Sequence, residues 1–176
     1  MLIVMAGLPA AGKSSIAEEL ARKLPAAVVS VDPVEAAMRR AGVDRGQPTG
    51  LAAYFVAEAV ADGVLAVGQS VIIDAVNAVE AARQQWRALA SRHQVPVAVI
   101  EVMCSDAQVH RRRLERRTRS IVGFEEPTWE AVQQRRTEYE PWTDHRLVLD
   151  SVGDLASNVT KAREYLALRS RPAARG

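Results

Sequence analysis

The segment Gly7-Leu8-Pro9-Ala10-Ala11-Gly12-Lys13-Ser14 constrains this chain more than any other feature. It matches the phosphate-binding pattern G-x-x-x-x-G-K-[ST] without a gap. The apolar run Leu2–Ala6 precedes it and reads as a buried strand. After it, Ile16, Leu20 and Leu24 recur at four-residue spacing, which marks one face of a helix. Strand, loop and helix in that order is the context the motif requires. Gly7 and Gly12 let the backbone curl so that successive N–H groups point inward, and the helix beginning near Lys13 adds the positive end of its dipole. The pattern predicts a cradle for the phosphates of ATP or GTP, formed by Gly7, Ala10, Ala11, Gly12, Lys13, Ser14 and Ser15. Lys13 is expected to reach the β- and γ-phosphates, and the Ser14 hydroxyl to ligate Mg²⁺.

Strand-like runs alternate with helix-like segments through most of the 176 residues. The strands are expected at 2–6, 27–31, 70–74, 96–103 and 146–149. Between them fall a short helix over 33–41, an Ala-rich one over 51–67, and further helices over 80–93, 106–117, 128–140 and 154–168. Near-continuous apolar strands separated by helices predict an α/β fold, with a five-stranded parallel sheet covered on both faces. In such folds ligands bind beyond the carboxyl ends of the strands. One domain over residues 1–168 is expected, followed by a disordered tail at 169–176. Hydrophobic residues make up 48% of the chain, enough for a sizeable core.

Charge is nearly balanced, with 23 basic and 21 acidic residues. That balance argues against general nucleic-acid binding. Clustering is more informative, since six arginines fall between Arg111 and Arg119. Cys104 is the only cysteine, which excludes an intramolecular disulfide and fits a reducing cytoplasm. His93, His110 and His145 lack metal-ligand spacing. The opening apolar run has no basic residues before it and is too short to span a membrane.

Asp74 ends a strand after Val71, Ile72 and Ile73. A carboxylate delivered there can hold Mg²⁺ through water or position a second substrate; alternatively it only terminates the strand. Asn77-Ala78-Val79-Glu80 has the spacing of a helix capping box, which favours a capping role for Asn77 over contact with a substrate. Arg39 and Arg40 suit a solvated helix end, or else an anionic substrate. Of the aromatic residues, which are mostly core candidates, Tyr54 is the best candidate for a ligand contact.

Taken together, the phosphate loop, Asp32 closing the second strand, Val71-Ile72-Ile73-Asp74-Ala75-Val76-Asn77, the arginine run and Tyr139-Glu140-Pro141-Trp142 resemble the small P-loop kinases. That group includes gluconate kinase, chloramphenicol phosphotransferase and the kinase domain of polynucleotide kinases. The similarity covers about residues 1–168. It implies adjacent first and third strands and transfer of the γ-phosphoryl group of Mg-ATP to a hydroxyl. It implies that Asp32 accepts the acceptor's proton or orients its hydroxyl. Asp32-Pro33-Val34-Glu35 also reads as a helix start, with Asp32 as N-cap and Pro33 at the first helical position. The arginine run falls at the lid position of these kinases. Arg113 and Arg117, four residues apart and so on one helical face, are the pair expected to close on ATP; the other arginines suit a solvated face paired with Glu115, Glu125 and Glu126. ATP in preference to GTP follows from the resemblance, as no guanine-reading N/T-K-x-D is present. The acceptor implied is a small molecule such as a sugar, nucleoside or antibiotic. A polynucleotide or RNA acceptor, and a nucleotide-binding regulator with little transfer activity, are the alternatives.

Overall fold

Leu2–Ala6 is buried along its whole length because it runs through the middle of a sheet. The computed structural model describes residues 1–44, 46–117, 121 and 126–170. Along them run β1 (Leu2–Ala6), α1 (Lys13–Lys23), β2 (Ala26–Ser30), α2 (Val31–Arg40), α3 (Thr49–Ala66) and β3 (Ser70–Asp74). Then follow α4 (Glu80–Arg92), β4 (Val97–Met103), α5 (Ala107–Glu115), α6 (Trp129–Thr137), β5 (Arg146–Asp150) and α7 (Leu155–Arg169). The five strands are parallel, in the order β2-β3-β1-β4-β5. The expected adjacency of the first and third strands holds, with Val4 opposite Ile73 and Met5 opposite Asp74.

Side chains of β1 alternate between two cores, as a strand buried on both faces requires. Leu2 and Val4 join Val71, Ile73 and Val99 under α3 and α4, where Ala57, Ala61, Trp86 and Leu89 pack. Ile3 and Met5 join Ile72, Ile100 and Val102 under α1 and α7, against Ile16, Leu20, Val159 and Leu166. Connections from β1 and β3 lead to opposite sides of the sheet, so the crevice beyond β1 is its switch point.

Two expected boundaries are corrected, and both move candidate site residues. β2 pairs with β3 as far as Ser30 opposite Asp74, and α2 starts immediately after it, at Val31. Ser30 is the N-cap, so Asp32 lies inside the first helical turn and neither ends a strand nor caps the helix. The Ser30 hydroxyl donates to Asp74 Oδ2 at 3.3 Å instead of capping. At the other boundary, α5 stops at Glu115 with Arg116 as its C-cap. Continuing it would stack Arg112 on Arg116 and Arg113 on Arg117, which like charges oppose. Arg117 thus leaves the helix and pairs with Glu126 at 3.5 Å. Arg119, Glu125 and positions 171–176 of the expected tail lie outside the described residues, while Arg169 closes α7.

Asn77 is not the α4 cap either; that position is Val79. Asn77 is fully buried in left-handed backbone, at φ 52°. Its Nδ2 donates to the Met5 carbonyl at 2.7 Å, and its Oδ1 accepts from Trp86 Nε1 at 2.8 Å. Its carbonyl accepts from Arg83 Nε at 3.0 Å. Arg83, also buried, donates further to Ala78, Glu140 and Pro141 carbonyls and lies 3.9 Å from the Trp142 ring centre. These bonds fix the exit of β3 against β1 and tie the Tyr139–Trp142 segment beneath them. Asn77→Ala would orphan a buried carbonyl and a buried indole N–H, costing about 2–4 kcal/mol. The expected readout is a Tm lower by roughly 5–15 °C in calorimetry, following the usual scaling for this size; a Tm within a degree of the parent would remove this support from the account.

Candidate active site

The loop after β1 curls back tightly before it enters α1. Gly7 has φ 132°, and a Cβ there would lie 2.1 Å from the Val102 carbonyl oxygen, so only glycine fits. Its N–H donates to the Val76 carbonyl at 3.1 Å, tying the loop's first residue to the chain just beyond β3. Ala10 and Gly12 also take positive φ, at 61° and 103°, which turns the loop back into α1. Lys13 begins α1, and its Nζ donates to the Leu8 carbonyl at 3.0 Å, across the concave side of the loop. Beneath the loop, His110 Nε2 lies 2.7 Å from the Pro9 carbonyl. Burial lowers the His110 pKa, keeping the ring neutral so that Nε2–H donates.

Two cavities meet at this loop, and a third adjoins the second. The first, of about 420 Å³, is lined by Ala10, Gly12, Lys13, Ser14, Ser15, Arg113, Arg117 and the β5–α7 residues Ser151, Gly153, Leu155 and Asn158. The second, about 190 Å³, is lined by Lys13, Ser14, Asp32, Glu35, Arg39, Asp74, Arg117 and Arg135. The third, about 590 Å³, lies between α3 and α4 and shares Asp32, Glu35, Val76 and Arg135 with the second. Every site residue expected from the sequence except Gly7 and Ala11 lines the first or second cavity. Gly7 and Ala11 line a separate hollow beside Cys104 on the other side of the loop.

Ser14 Oγ donates to Asp74 Oδ2 at 2.7 Å, with Asp74 almost wholly buried. A hydroxyl and a carboxylate side by side fit Mg²⁺, which takes hard oxygen ligands and draws the remainder from phosphates and water. Among the described residues no cluster of three or more His, Cys, Asp or Glu forms an all-protein metal cage.

The two lid arginines occupy different positions. Arg113 donates to Ser151 Oγ at 2.7 Å and to the Ser151 carbonyl at 2.8 Å, joining α5 to the β5–α7 turn. It lines the first cavity only, whereas Arg117 lines the first and second. Glu35, Arg135 and Ser151 carry no site signal in the sequence: Glu35 reads there only as the end of a helix-start motif, and the other two sit on ordinary helix or turn positions. Arg39, Glu35 and Thr49 are tied together, Glu35 Oε1 accepting from Arg39 at 2.7 Å and Thr49 at 2.9 Å. Arg39 therefore faces the second cavity and does not sit at a solvated helix end. Tyr54 Oη accepts from the Asn77 N–H at 3.1 Å, and burial raises its pKa, so it is a neutral wall of the third cavity.

Gly7→Ala would force the loop away from Val102, and Lys13→Ala would remove the charge on its concave side. Both are expected to weaken Mg-ATP binding at least about tenfold in calorimetric titration. Lys13→Ala keeps the fold. Unchanged affinity in both variants would contradict the cradle.

A family model of the AAA domain matches residues 2–141. A search of the curated proteins finds no match. Among solved structures the chain is similar to a sugar kinase from Janibacter sp. HTCC2649, with 17% identity, TM-score 0.72, and 94% of each chain covered. It is similar to Kti12 of Chaetomium thermophilum in complex with ADP-AlF3, with 22% identity, TM-score 0.69, and 94% of this chain and 98% of that one covered. A gluconokinase from Sinorhizobium meliloti 1021 is similar at 19% identity and TM-score 0.68, covering 96% of this chain and 92% of that one. At these identities the likeness establishes the fold, which is that of the P-loop NTPases. With four-fifths of the chain inside the family model, the protein belongs to the AAA domain family.

Proposed function

We propose that this chain is an ATP-dependent phosphotransferase that moves the γ-phosphoryl group of Mg-ATP to a hydroxyl of a small molecule. The observation that carries this reading is that the second cavity shares Lys13, Ser14 and Arg117 with the first and Asp32, Glu35 and Arg135 with the third. A nucleotide binder alone needs only the first cavity. A transferase needs a donor site and an acceptor site that open onto one point.

In this reading the nucleotide lies in the first cavity, with its base toward Leu155 and Asn158 and its phosphates on the loop N–H groups. Lys13 exchanges its bond to Leu8 for the β- and γ-phosphates. Ser14 and Asp74 would hold Mg²⁺, which supplies charge neutralisation across those phosphates. Asp32, half-buried in the first turn of α2, faces the second cavity and takes the proton of the acceptor hydroxyl. The acceptor oxygen forms a bond to the γ-phosphorus as the bond from that phosphorus to the β,γ-bridging oxygen breaks. ADP leaves with the electron pair, giving a phosphate monoester. Arg117, open to both cavities, stabilises charge on the phosphoryl group in flight. Arg113, on the nucleotide side only, contributes to holding ATP.

Asp32→Asn preserves α2, because the cap is Ser30. It should bind ATP normally while acceptor-dependent turnover falls by a factor of about 10²–10⁴. A fully active variant would leave the reaction without its base. For the arginines, Arg117→Ala should lower kcat by a factor on the order of 10², and Arg113→Ala should act mainly on the KM for ATP. Steady-state kinetics of the two variants checks this; equal small effects in both would reduce the run to a basic surface.

A further inference from the structure

The third cavity bears on the identity of the acceptor, and the inference drawn from it rests on the phosphotransferase reading above. Its volume, about 590 Å³, is that of a site for a drug-sized molecule. Its walls are mostly apolar, with Leu51, Tyr54 and Phe55 on α3 facing Val79, Ala82 and Ala88 across the groove. Leu51 and Phe55 are each 60% exposed, large apolar side chains at a site that opens onto the reaction centre. Helix α3 carries no basic residue at all.

Several polar groups of this wall are engaged by the protein itself. Glu58 accepts from Gln85 at 2.7 Å and from Arg92 at 2.8 Å, and Gln85 also donates to the Tyr54 carbonyl. Gln84 Oε1 accepts from Arg87, Glu35 is engaged by Arg39 and Thr49, and Tyr54 Oη by Asn77. A polyol would find these groups in part committed to the protein, whereas an apolar body asks no partner of them. Charge points the same way. Asp32, Glu35 and Glu58 place three carboxylates on the lining against one guanidinium, that of Arg135. Arg39 and Arg92 pair with Glu35 and Glu58 from outside that lining, so an acid, a sugar phosphate or a nucleic-acid backbone entering here would meet cations already held by carboxylates.

We infer that the acceptor is an alcohol with an apolar body and no negative charge, seated between α3 and α4 with its hydroxyl toward Asp32. The body displaces water from Leu51, Phe55 and Val79, and binding strength comes from that burial rather than from directional bonds. The transfer at the hydroxyl is the one described above, with the proton passing to Asp32.

The test is acceptor-stimulated ADP release by the full chain, with Mg-ATP and four sets of acceptors. These are aromatic and alicyclic alcohols, neutral polyols and nucleosides, hydroxy acids, and 5′-hydroxyl oligonucleotides. The expected result is stimulation by the first set, at least about tenfold above the other three. Phe55→Ser, which alters an exposed side chain and so spares folding, should raise the KM for such an alcohol about tenfold, with kcat and the KM for ATP changing less than about twofold. Turnover supported best by polyols, hydroxy acids or oligonucleotides overturns this inference and leaves the phosphotransferase reading standing, as does a Phe55→Ser variant with unchanged KM. ATP binding with no stimulation by any set overturns both.

Discussion

Everything at this site depends on how closely the first loop packs against the sheet. Gly7 presses so tightly on β4 that a single added methyl group would meet the Val102 carbonyl oxygen. The same residue donates its N–H to Val76, beyond the end of β3. The loop is therefore clamped between the two neighbours of β1, and it turns through the Ala11 N–H bond to the Leu8 carbonyl into α1 at the switch point of the sheet. Ser14 reaches Asp74 only because β1 and β3 are adjacent and in this register, with Met5 opposite Asp74. Asn77 and Arg83 secure the arrangement from below by bonding the carbonyls of Met5 in β1, of Asn77 beyond β3, and of Glu140 and Pro141.

Much of this was legible in the sequence because strong local signals coincide with the sheet edge. The motif at Gly7–Ser14 specifies its own backbone, and apolar runs of four or five residues leave little choice but buried strands. Ser14 and Asp74 meet because each terminates or follows such a run. Boundaries were less legible where two local rules compete. Asp32-Pro33 has the look of a helix start, yet strand pairing ends at Ser30 and the helix takes over at once, so Asp32 turns toward the cavity from inside α2. At the arginine run, helical spacing would put Arg113 and Arg117 on one helix face; the helix ends between them, yet both line the first cavity, and Arg117 lines the second as well.

Glu35, Arg135, Phe55 and Ser151 were invisible for a different reason. They come from α2, α6, α3 and the turn after β5, and nothing in their sequence spacing relates them. Only tertiary packing brings them to a common trough. The division of that trough is chemically consistent: backbone donors and cations at the nucleotide end, paired oxygens and Asp32 in the middle, aliphatic and aromatic walls beyond.

If the loop, the end of β3 and Arg113 to Arg117 close on one nucleotide as a unit, nucleotide should protect them together. Hydrogen-exchange mass spectrometry with a non-hydrolysable ATP analogue and Mg²⁺ tests it most directly. The account predicts slowed exchange together at residues 7–15, 72–77 and 113–117, with 49–60 unaffected by nucleotide alone. Protection confined to surface helices, or none at 7–15, would contradict it.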